Sequence, residues 1–228
     1  FIGILHDIAT PLTAIKGYAS GLLDGVAHTA DKQRIYAERI QRSAATMERL
    51  TARLREFLRL ESGQMPLTWE TICARDFLVE TIRTYTPDFV EQGLHLAMEE
   101  TEIDASIRID REEFVRVLKN LWENSSKYRR GDCVQVHMSL AAEGSFLAIR
   151  CDDDGVGVRA EERIKLFDSF YRTDAARTNV AAGSGLGLAI VRQIMTVFRG
   201  SVRAEESPDG GLRIVLLLPI VPREGGME

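Results

Sequence analysis

Apolar residues recur at three- and four-residue steps from the first residues of the chain, at Phe1, Ile4, Leu5 and Ile8, the period of a helix with one apolar face. The same spacing returns at Ile40, Ala44, Met47, Leu50 or Thr51, Leu54 and Phe57. Residues 1–63 therefore read as a helical hairpin, interrupted at 21–30 where Gly25 and the polar pair His28 and Thr29 break the pattern. One hairpin cannot bury so long a seam alone. Pairing two hairpins into a four-helix bundle covers it, which predicts a homodimer. Gly63 reads as the C-terminal cap of the second helix and Pro66 follows it, so the domain boundary is placed there, with the hairpin at 1–63 and a second domain at 64–228.

Beyond the boundary the period shortens. Strand signals fall near 66–70, 94–98, 105–109, 134–140, 146–152, 201–206 and 212–218, and helical patterns lie between them at 74–89, 111–128, 159–167 and 186–198. Strand runs with intervening helices predict a two-layer α/β sandwich, so the chain as a whole is multidomain, α followed by α+β. Internal repeats and low-complexity tracts are not evident.

Length and composition agree with two soluble domains: 228 residues, 45% apolar and 28% charged. The net charge of -5 argues against a nucleic-acid partner, which calls for a basic face. Cys73, Cys133 and Cys151 fit neither a disulfide framework nor a zinc site, which suggests a reducing compartment. The longest apolar run, 212–221, is too short for a membrane span and contains Arg213 and Pro219. The chain opens on Phe1 inside a helical pattern and shows no signal peptide, so it reads as a segment of a longer protein.

Four motifs carry candidate chemistry. In LHDIATPL, helical spacing places His6 and Thr10 on one face with Asp7 beside them, above a bend expected at Pro11. A histidine titrating near neutrality is a credible nucleophile when a carboxylate orients its ring, although a lone histidine on an amphipathic helix is more often merely solvated. A second helix carries Asn120, Asn124 and Lys127 on one face and Phe114, Val117, Leu118 and Leu121 on the other, with Tyr128 at its end. Asparagine oxygens suit Mg²⁺ and the lysine suits phosphate, but a plain solvated face would look the same. DDDGVGV places Asp153 at a strand end before Gly155 and Gly157, either an acceptor for the adenine amine or an acidic turn. GSGLGLAIV leads Gly183, Gly185, Leu186 and Gly187 into a helix whose N-terminus could take phosphate.

Taken in this order, the four motifs resemble the sensor histidine kinase family over almost the whole chain, and the last three are shared with the wider ATPase superfamily of gyrase, heat-shock protein 90 and mismatch-repair proteins. LFDSFYR at 166–172 resembles the family's phenylalanine box, and FLRLESG the end of its phosphoacceptor hairpin. The resemblance implies ATP and Mg²⁺ as cofactors, with His6 as phosphoacceptor and Asp7 as its acidic helper. It implies that Asn124 is the Mg²⁺ ligand, Asn120 a second contact there, Lys127 a phosphate contact and Tyr128 an adenine-packing residue. Asp153 would recognise adenine, flanked by Gly155 and Gly157, while Tyr171, Arg172, Gly183, Gly185, Leu186 and Gly187 would lie near the phosphates, with Arg177 a weaker candidate. Residues 173–184 would form a lid.

The resemblance further implies a response regulator receiver domain as partner, and a cytoplasmic segment of a membrane-anchored parent. The acidic residue and threonine of Asp7-Ile8-Ala9-Thr10 resemble the pattern that positions water for a phosphatase reaction on that partner. Leu5 and Ala9 stand where the family often has Ser and a basic residue, and Leu212 follows Gly210 and Gly211 where threonine is common, so this glycine pair is left out of the site. His28, His95 and His137 read as structural. Two other readings compete. A water-using ATPase needs a glutamate four residues before the metal-binding asparagine, where Asn120 stands; an inactive nucleotide-binding scaffold would have lost one of His6, Asn124 and Asp153.

Overall fold

The computed structural model describes residues 2–63, 66–173 and 185–222, without the side chains of residues 2–7. Helices α1 (Ile2–Leu23) and α2 (Ala30–Glu61) form the hairpin, and α1 continues unbroken through Pro11. Thr29 starts α2: its hydroxyl accepts the Lys32 N–H at 3.3 Å, and Asp31 lies in the first turn, where the helix dipole favours an acid. The rings of Tyr18 and Tyr36 meet edge to face at 5.1 Å and pin the arms together.

Along α2 the seam is half-buried at Ile40, Ala44, Met47, Leu50 and Leu54, whereas Thr51 is exposed and turns its hydroxyl back to the Met47 carbonyl, so Leu50 is the seam residue. Phe57 and Leu60 are buried. They join the core of the following domain rather than a seam of the hairpin, so apolar packing runs across the boundary placed at 63.

That domain contains β1 (Trp69–Cys73), α3 (Ala74–Val90), β2 (Leu94–Met98), β3 (Ser106–Asp110), α4 (Arg111–Lys127), β4 (Val134–Glu143), β5 (Phe146–Asp153), the one-turn α5 (Ala160–Arg163), α6 (Gly187–Val197), β6 (Ser201–Glu206) and β7 (Leu212–Val221). The sheet order is β1-β3-β7-β5-β4-β2, with β6 also on β7; β2 and β4 run parallel and the other pairs antiparallel. Paired residues share a face, so Met138, Cys151 and Ile214 form one row and Leu140, Ile149 and Leu216 the next, all in the core with α3, α4 and α6. Ion pairs such as Arg213–Asp152 and Arg203–Glu143 involve residues of the alternate parity, on the outer face. The expected two layers are thus present.

Two elements differ from expectation. The first strand begins at Trp69 rather than near 66, because the Thr68 N–H is drawn at 2.7 Å to Asp110 Oδ2 of the α4 N-cap, which leaves 66–68 as a lead-in. The helix expected over 159–167 is a single turn followed by three-residue turns at Lys165, Leu166 and Asp168. Ile164, which would have supplied an inward face, is 81% exposed.

Candidate nucleotide and phosphoacceptor site

The parity that builds the core also places Asp153. It pairs with Val136 and continues the inward row Leu147, Ile149, Cys151, so its carboxylate points into the seam between sheet and helices, 6% exposed. A buried carboxylate requires donors. Oδ1 accepts the N–H of Gly155 at 3.0 Å and of Leu212 at 2.9 Å, and Oδ2 accepts the Ser125 hydroxyl at 2.8 Å. Burial pushes this carboxyl up, while the Leu212, Ser125 and Gly155 donors pull it down. At Gly211 an added Cβ would strike both the carbonyl and Oδ1 of Asp153, so that position admits only glycine.

Helix α4 forms because its stripe of Phe114, Val117, Leu118 and Leu121 is buried and Asp110 caps it, accepting the Glu113 N–H at 3.0 Å. Asn120, Asn124 and Lys127 lie on its partly open side. Asn120 donates at 2.9 Å to the Arg116 carbonyl, and its Oδ1 lies against Gly187 at the start of α6. Lys127, one-third exposed, approaches Glu123 at 3.9 Å, and burial, then Arg53, lower its pKa while Glu123 raises it. The Tyr128 carbonyl accepts the Val156 N–H at 3.0 Å, which ties the end of α4 to the turn after Asp153. Burial raises the Tyr128 phenol, and the Arg172 charge opposes that rise.

Gly185, at φ +67, lies directly against the backbone of Phe170 and Tyr171, and its carbonyl accepts the Phe170 N–H at 3.0 Å. Phe170 itself has φ 66, a strained value for a bulky side chain. The phenylalanine turn and the glycine loop are therefore one packed unit, to which Tyr171 adds a 3.3 Å bond to Glu162. Leu186 is buried and caps α6. Gly157 lies beside the Gly210 and Gly211 carbonyls.

Gly183, Arg177 and the lid from 174 lie outside the described residues, as do the side chains of His6 and Asp7, although both residues fall within α1. Thr10 is exposed on the same helix. His137, read as structural, has a partner in Asp209 at 3.3 Å. Gly211 and Leu212 were set aside in the sequence because Leu212 stands where threonine is common, yet both lie against Asp153, and Leu212 acts through its backbone N–H, to which its side chain gives no clue. Ser125 was not singled out, and nothing in its local sequence marks it as a partner of Asp153.

The described residues thus join a helical hairpin to an α/β layer that brings together a buried acid, a helix face with two asparagines and a glycine-led helix start. Residues 109–222 match the histidine kinase-, DNA gyrase B- and HSP90-like ATPase family, and residues 3–63 match the His kinase A (phospho-acceptor) domain. The chain is 30% identical over 222 residues to the sensor histidine kinase CpxA of Escherichia coli, which covers 96% of this chain and 46% of CpxA. It is 27% identical over 225 residues to the autoinducer 2 sensor kinase/phosphatase LuxQ of Vibrio parahaemolyticus, covering 96% of this chain and 26% of LuxQ. It thus spans less than half of either relative. The solved structure of the Acinetobacter baumannii histidine kinase AdeS superposes with a TM-score of 0.69 at 19% identity, over 95% of this chain and 98% of that one. The chain belongs to the histidine kinase-, DNA gyrase B- and HSP90-like ATPase family, among its sensor histidine kinases.

Proposed function

We propose that this chain is the kinase core of a two-component sensor: with Mg²⁺ and ATP it phosphorylates its own His6 and passes the phosphoryl group to an aspartate of a response regulator receiver domain. The observation that carries the reading is that α4 reaches both halves of one site, through Ser125 to the buried Asp153 and through Asn120 to the start of α6. The residues fit the ligands. Asp153, when ionised, is an accept-only group walled by Gly155 and Gly211, the asparagine oxygens suit a hard cation, and Lys127 offers positive charge to phosphate. Asn124 would hold Mg²⁺, which when bound neutralises charge on the transferring phosphoryl group.

The protein's own contribution is positioning and charge. Asp153 would anchor the adenine amine, Tyr128 pack the ring, Lys127 and Arg172 hold phosphate oxygens, and Gly185, Leu186 and Gly187 present backbone N–H groups at the helix start. His6 would attack as the neutral imidazole with Asp7 orienting it. Asn120 has no basic oxygen to activate water, which favours histidine over water as acceptor. The half-buried seam of α2 supports a homodimer through a four-helix bundle. None of the described helices is long and apolar enough to cross a membrane, and we assign the segment to the cytoplasmic side of a membrane-anchored parent by analogy with its relatives.

Mixing the ³²P-labelled chain with a receiver-domain protein tests the reading. Label should pass to the receiver as an acyl phosphate, cleavable by hydroxylamine. Release of inorganic phosphate alone, with no labelled receiver from any cognate candidate, would favour hydrolysis instead.

A further inference from the structure

The two oxygens of Asp153 are not equivalent. Oδ1 already accepts two backbone N–H groups, from Gly155 and Leu212, whereas Oδ2 accepts the Ser125 hydroxyl. A carboxylate oxygen offers about two lone-pair directions, so Oδ1 is filled and Oδ2 keeps one acceptor site. Ser125 is 4% exposed and lies on the same helix as the Asn120, Asn124 and Lys127 face, so its hydroxyl is a side-chain clamp from the helix layer onto the strand end. Among the described residues no cation bonds Asp153, so its negative charge rests on these three neutral donors.

Resting on the reading of this pocket as the base site, we propose that Ser125 is a positioning residue for base recognition: it commits Asp153 to accepting hydrogen bonds and so selects a purine with a 6-amino group over one with a 6-oxo group.

Base preference depends on which form of Asp153 the site holds. Burial favours the protonated carboxyl, and the donors favour the carboxylate. Without the Ser125 hydroxyl one donor of three is lost, the proton affinity rises, and a protonated carboxyl can donate to a 6-oxo oxygen. The surrounding groups do not replace that donor. Asp154 and Cys151, from the same stretch of chain, add no positive charge. From α4, Tyr128 turns its carbonyl to the Gly155 turn; Arg130 donates to the Gly210 carbonyl; and Arg213 of β7 is committed to Asp152.

Calorimetric binding of Mg·ATP and Mg·GTP to the full chain at pH 8 and pH 6 tests the proposal, with protonation of the nucleotide cancelling between variant and parent. Ser125→Ala should weaken ATP about fivefold at pH 8 and more at pH 6, and narrow the gap between ATP and GTP, while Ser125→Thr should restore both. Should the alanine variant not fold, Ser125→Cys, nearly isosteric and a weak donor, should bind ATP with intermediate affinity. Asp153→Asn is the control for the pocket. If Asp153→Asn loses ATP while the Ser125 variants match the parent in affinity, base preference and pH dependence, Ser125 only joins helix to strand and the proposal is wrong. If Asp153→Asn binds ATP normally, the base pocket itself is misplaced and the proposal falls with it.

Discussion

Phe57 of the hairpin meets Phe170 of the ATPase domain edge to face, ring centroids 6.4 Å apart, although the two residues belong to different domains by sequence. Phe170 is the residue with φ 66 whose N–H is held by Gly185. One aromatic contact thus links the end of α2 to the glycine turn that leads into α6. Phe57→Ala removes a buried ring, and at about 3 kcal/mol for such a truncation it should release the last turns of α2 from the domain. Hydrogen exchange should quicken at 53–62 and 166–172 while β4 and β5 remain protected; unchanged exchange at 53–62 would show that the contact holds nothing in place.

Beside the aromatic pair, Glu56 pairs with Arg116 and Arg53 with Glu123, so charge reinforces the same docking. These pairs are partly exposed, and each is worth about 0.5 kcal/mol. Glu56→Arg should loosen α2, and adding Arg116→Glu should recover part of the loss. A double-mutant cycle in thermal unfolding with no coupling would leave docking to the apolar residues.

The phosphate role proposed for Lys127 predicts a pH dependence. Burial and the nearby Arg53 lower its pKa, so the ammonium loses its proton at a lower pH than an ordinary lysine. If Lys127 holds phosphate, binding needs its charged form, so affinity for ATP should be fully present below the lowered pKa and lost as pH rises through it. Arg53→Ala should move that loss to higher pH, and Lys127→Arg should remove it from the alkaline range. A parent whose ATP affinity is flat with pH up to the ordinary lysine range would contradict the phosphate role.

Much of this was readable in the chain because one periodicity served two purposes. The spacing that buries Phe114, Val117, Leu118 and Leu121 also sets Asn120, Asn124 and Lys127 on the other side of α4. Alternation along β5 likewise sends Asp153 inward with Ile149 and Cys151. What remained hidden depends on partners distant in sequence. Ser125 finds Asp153 only when helix and strand pack, and Leu212 contributes a main-chain N–H that any residue but proline could supply. Phe57 and Leu60 keep the period of the bundle seam, so nothing in their spacing reveals that they enter the next domain's core.

The role proposed for Thr10 would separate two activities on one helix. It is exposed on α1, and a hydroxyl there is a poor nucleophile toward ATP but is suited to holding a water. Thr10→Ala should keep phosphorylation of the chain and transfer to the receiver, while slowing loss of phosphate from the receiver about tenfold or more. Decay of purified phosphorylated receiver with parent and variant measures this; equal decay would leave Thr10 a surface residue ahead of Pro11.

The proposed activity leaves a phosphoryl group on one ring nitrogen of His6. Incubation of the chain with γ-³²P-labelled ATP and Mg²⁺ should give acid-labile, base-stable label that peptide mapping places on His6, and His6→Gln should abolish it while ATP still binds. Label that survives acid, or that persists at the parent level in the His6→Gln chain, would exclude His6 as the phosphoacceptor.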